Sequence, residues 1–308
     1  MLAKNPCLLD RSIVNAAFSK NARSAWRSII QLGAPTRFRK ILLPCYIGQT
    51  DREGSGIFDP VKELGCDFDF YQLRPDFSAD LNDLKSRISK DVSILLLVHY
   101  FGFCRSDLTE IKNLCDMYDV TLVEDCAHLF TLSTQPESPG SFGRYSFYSV
   151  HKYLATASGG IMRSNNPDEK LNLSPELSAH PSVVDHIARS DLNQIRFTRR
   201  RNFEEYRVRL ERQSGIKILF GLERYDNPQS FPISVMNGMR EKLYFHLMER
   251  NVPTTALYYR LIEEIKKDAF PRSHEMSESI LNLPLHQDIL DFEVSKVCEE
   301  IAKFMDEN

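Results

Sequence analysis

Two short segments carry residue types that together could do chemistry. The apolar run "TLVEDCAHLF" (121–130) contains an acidic pair, and "SVHKYLATASGG" (149–160) holds Lys152 ahead of two glycines. A buried acid near a lysine can simply form a structural ion pair. The same groups also serve pyridoxal 5'-phosphate (PLP): a lysine amine forms a Schiff base with its aldehyde, and a carboxylate keeps its ring nitrogen protonated. Spacing alone does not decide between these interpretations.

Strand and helix patterns alternate around these segments. Strands are predicted over 40–44, 67–73, 92–102, 120–125 and 144–150, and helices over 21–33, 59–65, 78–88 and 106–119. Such alternation is typical of βαβ units and predicts an α/β fold with a mainly parallel sheet flanked by helices. In such sheets ligands lie at the carboxyl ends of strands, where Asp125 ends one predicted strand and Lys152 follows another. We therefore expect the two residues to approach one ligand.

The C-terminal third has a different pattern. After Gly215, a strand is predicted over 231–237 and helices over 239–251 and 294–305, which favours a smaller α+β domain. We place the boundary near residue 200, between a large domain (1–200) and a small C-terminal domain (201–308).

An arginine-rich segment (185–213) crosses that boundary and predicts one or two helices. Its arginines could meet a phosphate. Because acidic residues are interspersed among them, the pattern is more typical of a solvated helix face.

The composition is that of an ordinary soluble globular chain. Of 308 residues 42% are hydrophobic and 26% charged, and the net charge of −3 gives no reason to expect nucleic-acid or anionic-membrane binding. None of the seven cysteines forms a CxxC pair, which argues against a zinc site and a disulfide framework, and we expect no metal. No apolar run has the length of a membrane span or a signal peptide. We therefore expect a cytoplasmic protein.

These segments resemble the DegT/StrS family of PLP-dependent sugar aminotransferases, which have fold type I. The family pattern is an acidic pair, two small residues and Gln or His, as in "VEDCAH", followed by a lysine with a glycine pair seven and eight residues beyond it, where Gly159 and Gly160 stand. "VHYFG" (98–102), "FPISVMNGMREKLYFHLMERNVPTTALYY" (231–259) and "ILNLPLHQDI" (280–289) resemble further family segments in the same order.

The resemblance implies roles around the cofactor ring. Lys152 is expected to form the Schiff base, Asp125 to pair with the pyridine nitrogen, and His128 to lie near the phenolic oxygen. Tyr46 stands near the position of an aromatic residue that stacks on the ring, although it could equally be a core tyrosine.

The resemblance also implies a phosphate site. Asn21, Ala22 and Arg23 stand where the family has a phosphate-binding turn, and backbone N–H groups at a helix start suit that task. Arg23 could add charge or be an exposed helical arginine. Ser149 is favoured over Ser146 as the serine that contacts the phosphate.

The implied reaction moves an amino group from an amino acid, such as glutamate, to a nucleotide-linked keto sugar for polysaccharide synthesis, in a homodimer. The chain departs from the family in a short N-terminal segment, in Ser158 where an acid is usual, and in the stretch after the glycine pair. Two alternatives stay open. One is a PLP-dependent sugar dehydratase, with His151 in the lysine position. The other is a non-catalytic partner protein of the same fold.

Overall fold

The computed structural model describes residues 15–33, 39–132 and 135–308. The strands of its larger sheet are β1 (Ala16–Ser19), β2 (Lys40–Pro44), β3 (Phe68–Tyr71), β4 (Val92–Val98), β5 (Thr121–Cys126), β6 (Tyr145–Ser149) and β7 (Gly160–Ser164). They lie in the order β1-β7-β6-β5-β4-β2-β3. Strands β3, β2, β4, β5 and β6 pair in parallel, whereas β7 runs antiparallel to both β6 and β1. The predicted mainly parallel sheet is confirmed.

Helices flank this sheet and a second, smaller sheet. They are α1 (Ala22–Leu32), α2 (Phe58–Glu63), α3 (Leu81–Arg87), α4 (Leu108–Tyr118), α5 (Pro181–Arg189), α6 (Leu192–Leu210), α7 (Arg240–Glu249), α8 (Pro271–Ser279) and α9 (Asp291–Glu307). Strands β8 (Ile216–Ile218), β9 (Phe231–Val235) and β10 (Ile280–Leu283) form an antiparallel sheet in the order β10-β9-β8. Residue 200 lies within α6, and the division into two domains at that point stays a prediction.

Local sequence explains where the main helices begin and end. Asn21 caps α1 by accepting a hydrogen bond from the Ser24 N–H at 2.8 Å, and Asp107 caps α4 in the same way. Asp119 ends α4 in the left-handed conformation, with φ 55°. In the arginine-rich segment, Asp191 caps α6 directly after α5 ends, so the segment forms two helices.

Packing fixes α1 against the middle of the large sheet. Trp26 of α1 is fully buried, and its ring stacks on Phe147 of β6 with centroids 5.7 Å apart. Its indole N–H also donates to the Ile57 carbonyl at 2.9 Å, just before α2. The start of α1 is therefore held at a fixed place relative to the end of β6.

The sequence did not predict β1, β7, β8 or β10. Each has three to five residues, too few for a clear alternation of polar and apolar positions. Within the described residues, no helix is both long and apolar enough to cross a membrane.

Candidate active site

The acidic pair at the end of β5 serves two different purposes, because successive side chains of a strand point to opposite faces. Glu124 accepts hydrogen bonds from the backbone N–H groups of Gly140, Phe142 and Gly143 at 2.7–2.8 Å and contacts His99 Nε2 at 2.9 Å. Burial opposes its ionisation, but His99 and the backbone N–H groups outweigh burial and lower the pKa of Glu124. Glu124 therefore holds the loop before β6 in place.

Asp125 is buried on the other face with spare hydrogen-bonding capacity. Its Oδ1 accepts from the Ala127 N–H at 2.8 Å, and no described residue donates to Oδ2. Burial raises the pKa of Asp125 to about 6, although the Ala127 N–H and the positive charge of Lys152 work against that rise. At neutral pH Asp125 is therefore a carboxylate, and its Oδ2 is able to accept a hydrogen bond from a ligand atom that carries a proton.

Lys152 lies in the turn that follows β6 and is half-buried. Burial lowers the pKa of Lys152 to about 8, against the opposing effect of Asp125 and Glu53. Among the described residues no ion pair links its amine to a carboxylate, so no contact supports the interpretation of Lys152 as part of a structural ion pair. The neighbouring His151 is exposed, and its ring contacts Ser149 Oγ at 3.3 Å. The Lys152 amine therefore loses its proton more easily than that of an ordinary lysine, although the charge of Asp125 partly opposes this loss.

The lowered pKa predicts that Lys152 captures an aldehyde faster as the pH rises through about 8, because only the neutral amine adds to a carbonyl. At about pH 7.5, roughly a quarter of such an amine is neutral, compared with about one part in a thousand at the ordinary lysine pKa. Rapid mixing of PLP with cofactor-free protein at a series of pH values measures the rate of capture. A rate that still rises nearly tenfold per pH unit well above pH 9 would show that the pKa is not lowered.

His128 is buried and held as a neutral ring. Its Nδ1 accepts from the Phe101 N–H at 3.3 Å, so the neutral ring carries its proton on Nε2. Burial and the charge of Lys152 place the pKa of His128 well below its usual value. Nε2 can therefore donate a hydrogen bond to an anionic oxygen, which is the chemistry expected of a partner for the phenolic oxygen of PLP.

Tyr258 packs beside His128, and Tyr46 packs against Tyr258. Tyr46 is fully buried, and its ring packs edge-on against Tyr100 and Tyr258 at 5.6 and 5.3 Å, which matches the core-tyrosine alternative. Tyr258 is half-buried and lies nearly parallel to His128, with centroids 6.1 Å apart. It has a left-handed backbone, φ 60°, and its ring fills the space at Gly48, where a Cβ would lie 2.0 Å from Tyr258 Cδ1. Gly48 is the sequence feature that could have indicated this approach, since an isolated glycine can mark a place where another chain segment comes close.

The glycine pair beyond Lys152 shapes the turn that begins α1. The Gly159 N–H donates to the Lys20 carbonyl at 2.8 Å. At Gly160, a Cβ would lie 2.4 Å from the carbonyl carbon of Asn21 and 2.6 Å from the nitrogen of Ala22. Only glycine lets β7 and this turn come so close. The turn presents the N-terminus of α1, whose N–H groups and dipole favour a phosphate.

Replacement of Gly160 by alanine is expected to weaken PLP binding. The new methyl group meets backbone atoms that cannot rotate away, so the turn must shift, at a cost of about 1–3 kcal/mol or roughly 5- to 150-fold in Kd. Titration of cofactor-free protein with PLP measures the Kd, and Gly221→Ala, where a Cβ would meet nothing within 4 Å, is the control. An unchanged Kd for Gly160→Ala would contradict the importance of the turn.

Strand register separates the two candidate serines. Asp125 pairs with Phe147, so Ser149, two residues on, shares the face of Asp125. Ser149 also pairs with Gly160, next to the turn of α1. Ser146 lies on the opposite face and contacts the Tyr148 hydroxyl at 3.2 Å. The geometry therefore favours Ser149 as a phosphate ligand.

Arg23 braces a neighbouring loop. Its guanidinium donates to the Glu53 carbonyl and lies 3.4 Å from the Asp59 carboxylate. The side chain is partly exposed and paired with Asp59, and its contribution to the phosphate site stays a prediction. Its backbone nitrogen, in the first turn of α1, is the atom placed for an anion.

This set of groups fits PLP. It combines a reactive amine, a carboxylate with a spare oxygen, a histidine donor and a helix N-terminus that a glycine keeps open. The fit rests on Lys152, Asp125, His128, Gly160 and the Asn21–Ala22 turn.

Comparison with known proteins agrees with this chemistry. The sequence profile of the DegT/DnrJ/EryC1/StrS aminotransferase family matches residues 60–186 and 186–302. GDP-perosamine synthase from Vibrio cholerae is 23% identical over 261 residues, 73% of this chain and 70% of that enzyme. UDP-4-amino-4,6-dideoxy-N-acetyl-beta-L-altrosamine transaminase from Campylobacter jejuni is 27% identical over 143 residues, 44% of this chain and 37% of that enzyme.

Solved structures share the fold. The aminotransferase TlmJ from Streptoalloteichus hindustanus superimposes with a TM-score of 0.81 at 18% identity, over 95% of this chain and 86% of its own. This likeness confirms the fold type I architecture. Together with the family match over most of the sequence, it confirms the resemblance found in the sequence motifs. The chain belongs to the DegT/DnrJ/EryC1/StrS aminotransferase family and is a PLP-dependent aminotransferase.

Proposed function

We propose that this aminotransferase moves an amino group from an amino acid, glutamate in the first instance, to the keto group of a nucleotide-linked sugar. The observation that supports the transfer chemistry is the Lys152 amine, which forms no ion pair with a described residue and whose lowered pKa is influenced by the buried carboxylate of Asp125. The two sequence relatives support a nucleotide-linked sugar as the substrate, since the name of each one contains a nucleotide-linked sugar.

When bound, PLP supplies an aldehyde for the substrate amine and a ring that accepts an electron pair. In our proposal, Asp125 Oδ2 would keep the ring nitrogen protonated, and His128 Nε2 would donate to the phenolic oxygen. Ser149 and the N–H groups of the α1 turn would hold the phosphate. The Lys152 amine would carry a proton between carbon atoms of the substrate and the bound cofactor, a role for which a pKa near the working pH is suited.

A two-step spectroscopic experiment tests this function. PLP-loaded protein is mixed with single amino acids, and the loss of the visible PLP band reports amino transfer to the cofactor. Nucleotide-linked keto sugars and simple 2-oxo acids are then offered separately. We expect glutamate to bleach the band and a nucleotide-linked keto sugar to restore it. If 2-oxo acids restore the band and no nucleotide-linked keto sugar does, the sugar assignment is contradicted. Elimination of water from the sugar without bleaching of the band would favour a dehydratase.

We also propose a symmetric homodimer with the cofactor near the interface, as the family resemblance implies. A depression of about 380 Å³ leaves the outer side of the α1 turn uncovered; it is lined by Lys20, Arg23, Arg27, Glu63 and Glu176, among others. A second copy at this face would close the phosphate site. Sedimentation at micromolar concentration is expected to give a dimer. A monomer with full activity would contradict the proposal.

A further inference from the structure

One arginine of the arginine-rich segment is buried, contrary to the solvated face that its pattern indicates. Arg199 of α6 is 2% exposed. Its Nε donates to Gln287 Oε1 at 3.0 Å, and its Nη1 donates to the carbonyls of Pro228 and Gln229 at 3.2 and 3.1 Å. These partners lie just before β9 and just after β10, the two paired strands of the small sheet. Arg199 is thus fixed by the small sheet.

The remaining contacts of Arg199 go to the turn that carries Lys152. Nη2 donates to the Lys152 carbonyl at 3.3 Å, and the guanidinium lies over the Tyr153 ring, 4.4 Å from its centroid. Gln287 adds a hydrogen bond from Nε2 to the Tyr153 carbonyl at 3.0 Å. Two successive carbonyls of the lysine turn are therefore held from the same side.

Tyr153 links this clamp to the other side of the site. Its buried hydroxyl lies 2.6 Å from the carbonyl of His128 and 2.6 Å from that of Asn227. The backbone around Lys152 is consequently tied to the backbone that presents His128. Arg199 itself contacts neither the amine of Lys152 nor the carboxylate of Asp125 among its described contacts.

We propose that Arg199 is a positioning residue, which holds the Lys152 turn against the small sheet so that the lysine amine is aimed at the cofactor. A planar guanidinium suits this role, because its fork of N–H donors reaches two separate backbone segments and the Gln287 side chain at once, which a lysine ammonium cannot do. The inference rests on the proposed role of Lys152 as the cofactor-bearing residue.

A double-mutant cycle separates positioning from a merely structural role. Arg199→Lys keeps the charge and loses the fork. PLP affinity and the rate of covalent capture are measured for it in the natural chain, and PLP affinity is measured again in a Lys152→Ala background. If Arg199 acts through Lys152, the substitution lowers affinity and capture by about tenfold in the natural chain, an effect of the size that coupled residues show. It then leaves affinity within about twofold in the Lys152→Ala background.

Arg200→Lys is the matched control. Arg200 is next in α6 and also binds backbone carbonyls, those of Glu223 and Asp226, but not the lysine turn. Arg200→Lys is therefore expected to leave the rate of PLP capture unchanged. Gln287→Met removes the contacts to Arg199 and Tyr153. It is expected to lower PLP affinity less than Arg199→Lys does in the natural chain, and again to have little effect on it in the Lys152→Ala background. It decides the question if Arg199→Lys does not fold.

Equal losses of affinity in both backgrounds would overturn the proposal, because Arg199 would then support the fold in general. Capture at the natural rate in Arg199→Lys would overturn it as well. If the natural chain itself captures no PLP on Lys152, the proposed function fails, and that result is distinct from a failure of the positioning role.

Discussion

Lys152→Ala is expected to abolish amino transfer while the protein still binds PLP. The proposed phosphate contacts from the α1 turn and Ser149 do not involve Lys152, so noncovalent binding should persist with reduced affinity. The mutant loses both the covalent link and the group that moves the proton. A positioned base alone contributes about 10²–10⁴-fold, so the loss should be at least of that order.

Single-turnover conversion of the PLP form to the pyridoxamine form with glutamate measures this effect. The exposed Lys170 provides the control variant, Lys170→Ala, which should convert at the natural rate. Conversion by Lys152→Ala at a rate close to the natural one would mean that another residue moves the proton.

Asp125→Asn is expected to reduce chemistry far more than cofactor occupancy. An amide cannot keep the ring nitrogen protonated as a carboxylate does, so the ring accepts electrons less well. We expect a fall of about 10²–10³-fold, the range found when one preorganised electrostatic group is removed from an active site. The effect should appear with the amino donor, before any sugar is present.

The neighbouring acid gives a contrasting variant. In Glu124→Gln an amide nitrogen would face backbone N–H groups that now donate to a carboxylate. This change is expected to lower the thermal unfolding temperature, whereas Asp125→Asn should change it little. A natural single-turnover rate for PLP-loaded Asp125→Asn would refute the role of Asp125, even if the protein binds PLP.

The cofactor side of the site could be read from the sequence because it is built from strand ends. Asp125 is the penultimate residue of β5, and Lys152 follows β6, the adjacent parallel strand. The glycine pair was recognised as a pattern, but its purpose depended on structure, since Gly160 faces the Asn21 turn across a strand pair. Likewise, the choice between Ser146 and Ser149 required the register of β5 and β6.

Residues brought in by distant segments could not be read in this way. Tyr258 reaches the site because the chain after α7 runs beside Gly48, and nothing local to "ALYYR" distinguishes Tyr258 from Tyr259. Arg199 lies on the same buried face of α6 as Asn202 and Phe203. The partners of its charge, Pro228, Gln229 and Gln287, come from distant parts of the chain. Periodicity predicts which face of a helix is apolar, but it does not predict a buried charge whose partners are distant carbonyls.

Chemical trapping shows directly whether Lys152 holds the cofactor. PLP-loaded protein is reduced with borohydride, digested, and mapped by mass spectrometry. Reduction fixes the pyridoxyl group on whichever lysine carried it. We expect one pyridoxyl group per chain, on Lys152, and none after glutamate has converted the cofactor to its pyridoxamine form. A pyridoxyl group on a different lysine, or an unlabelled Lys152 in a PLP-loaded sample, would contradict it.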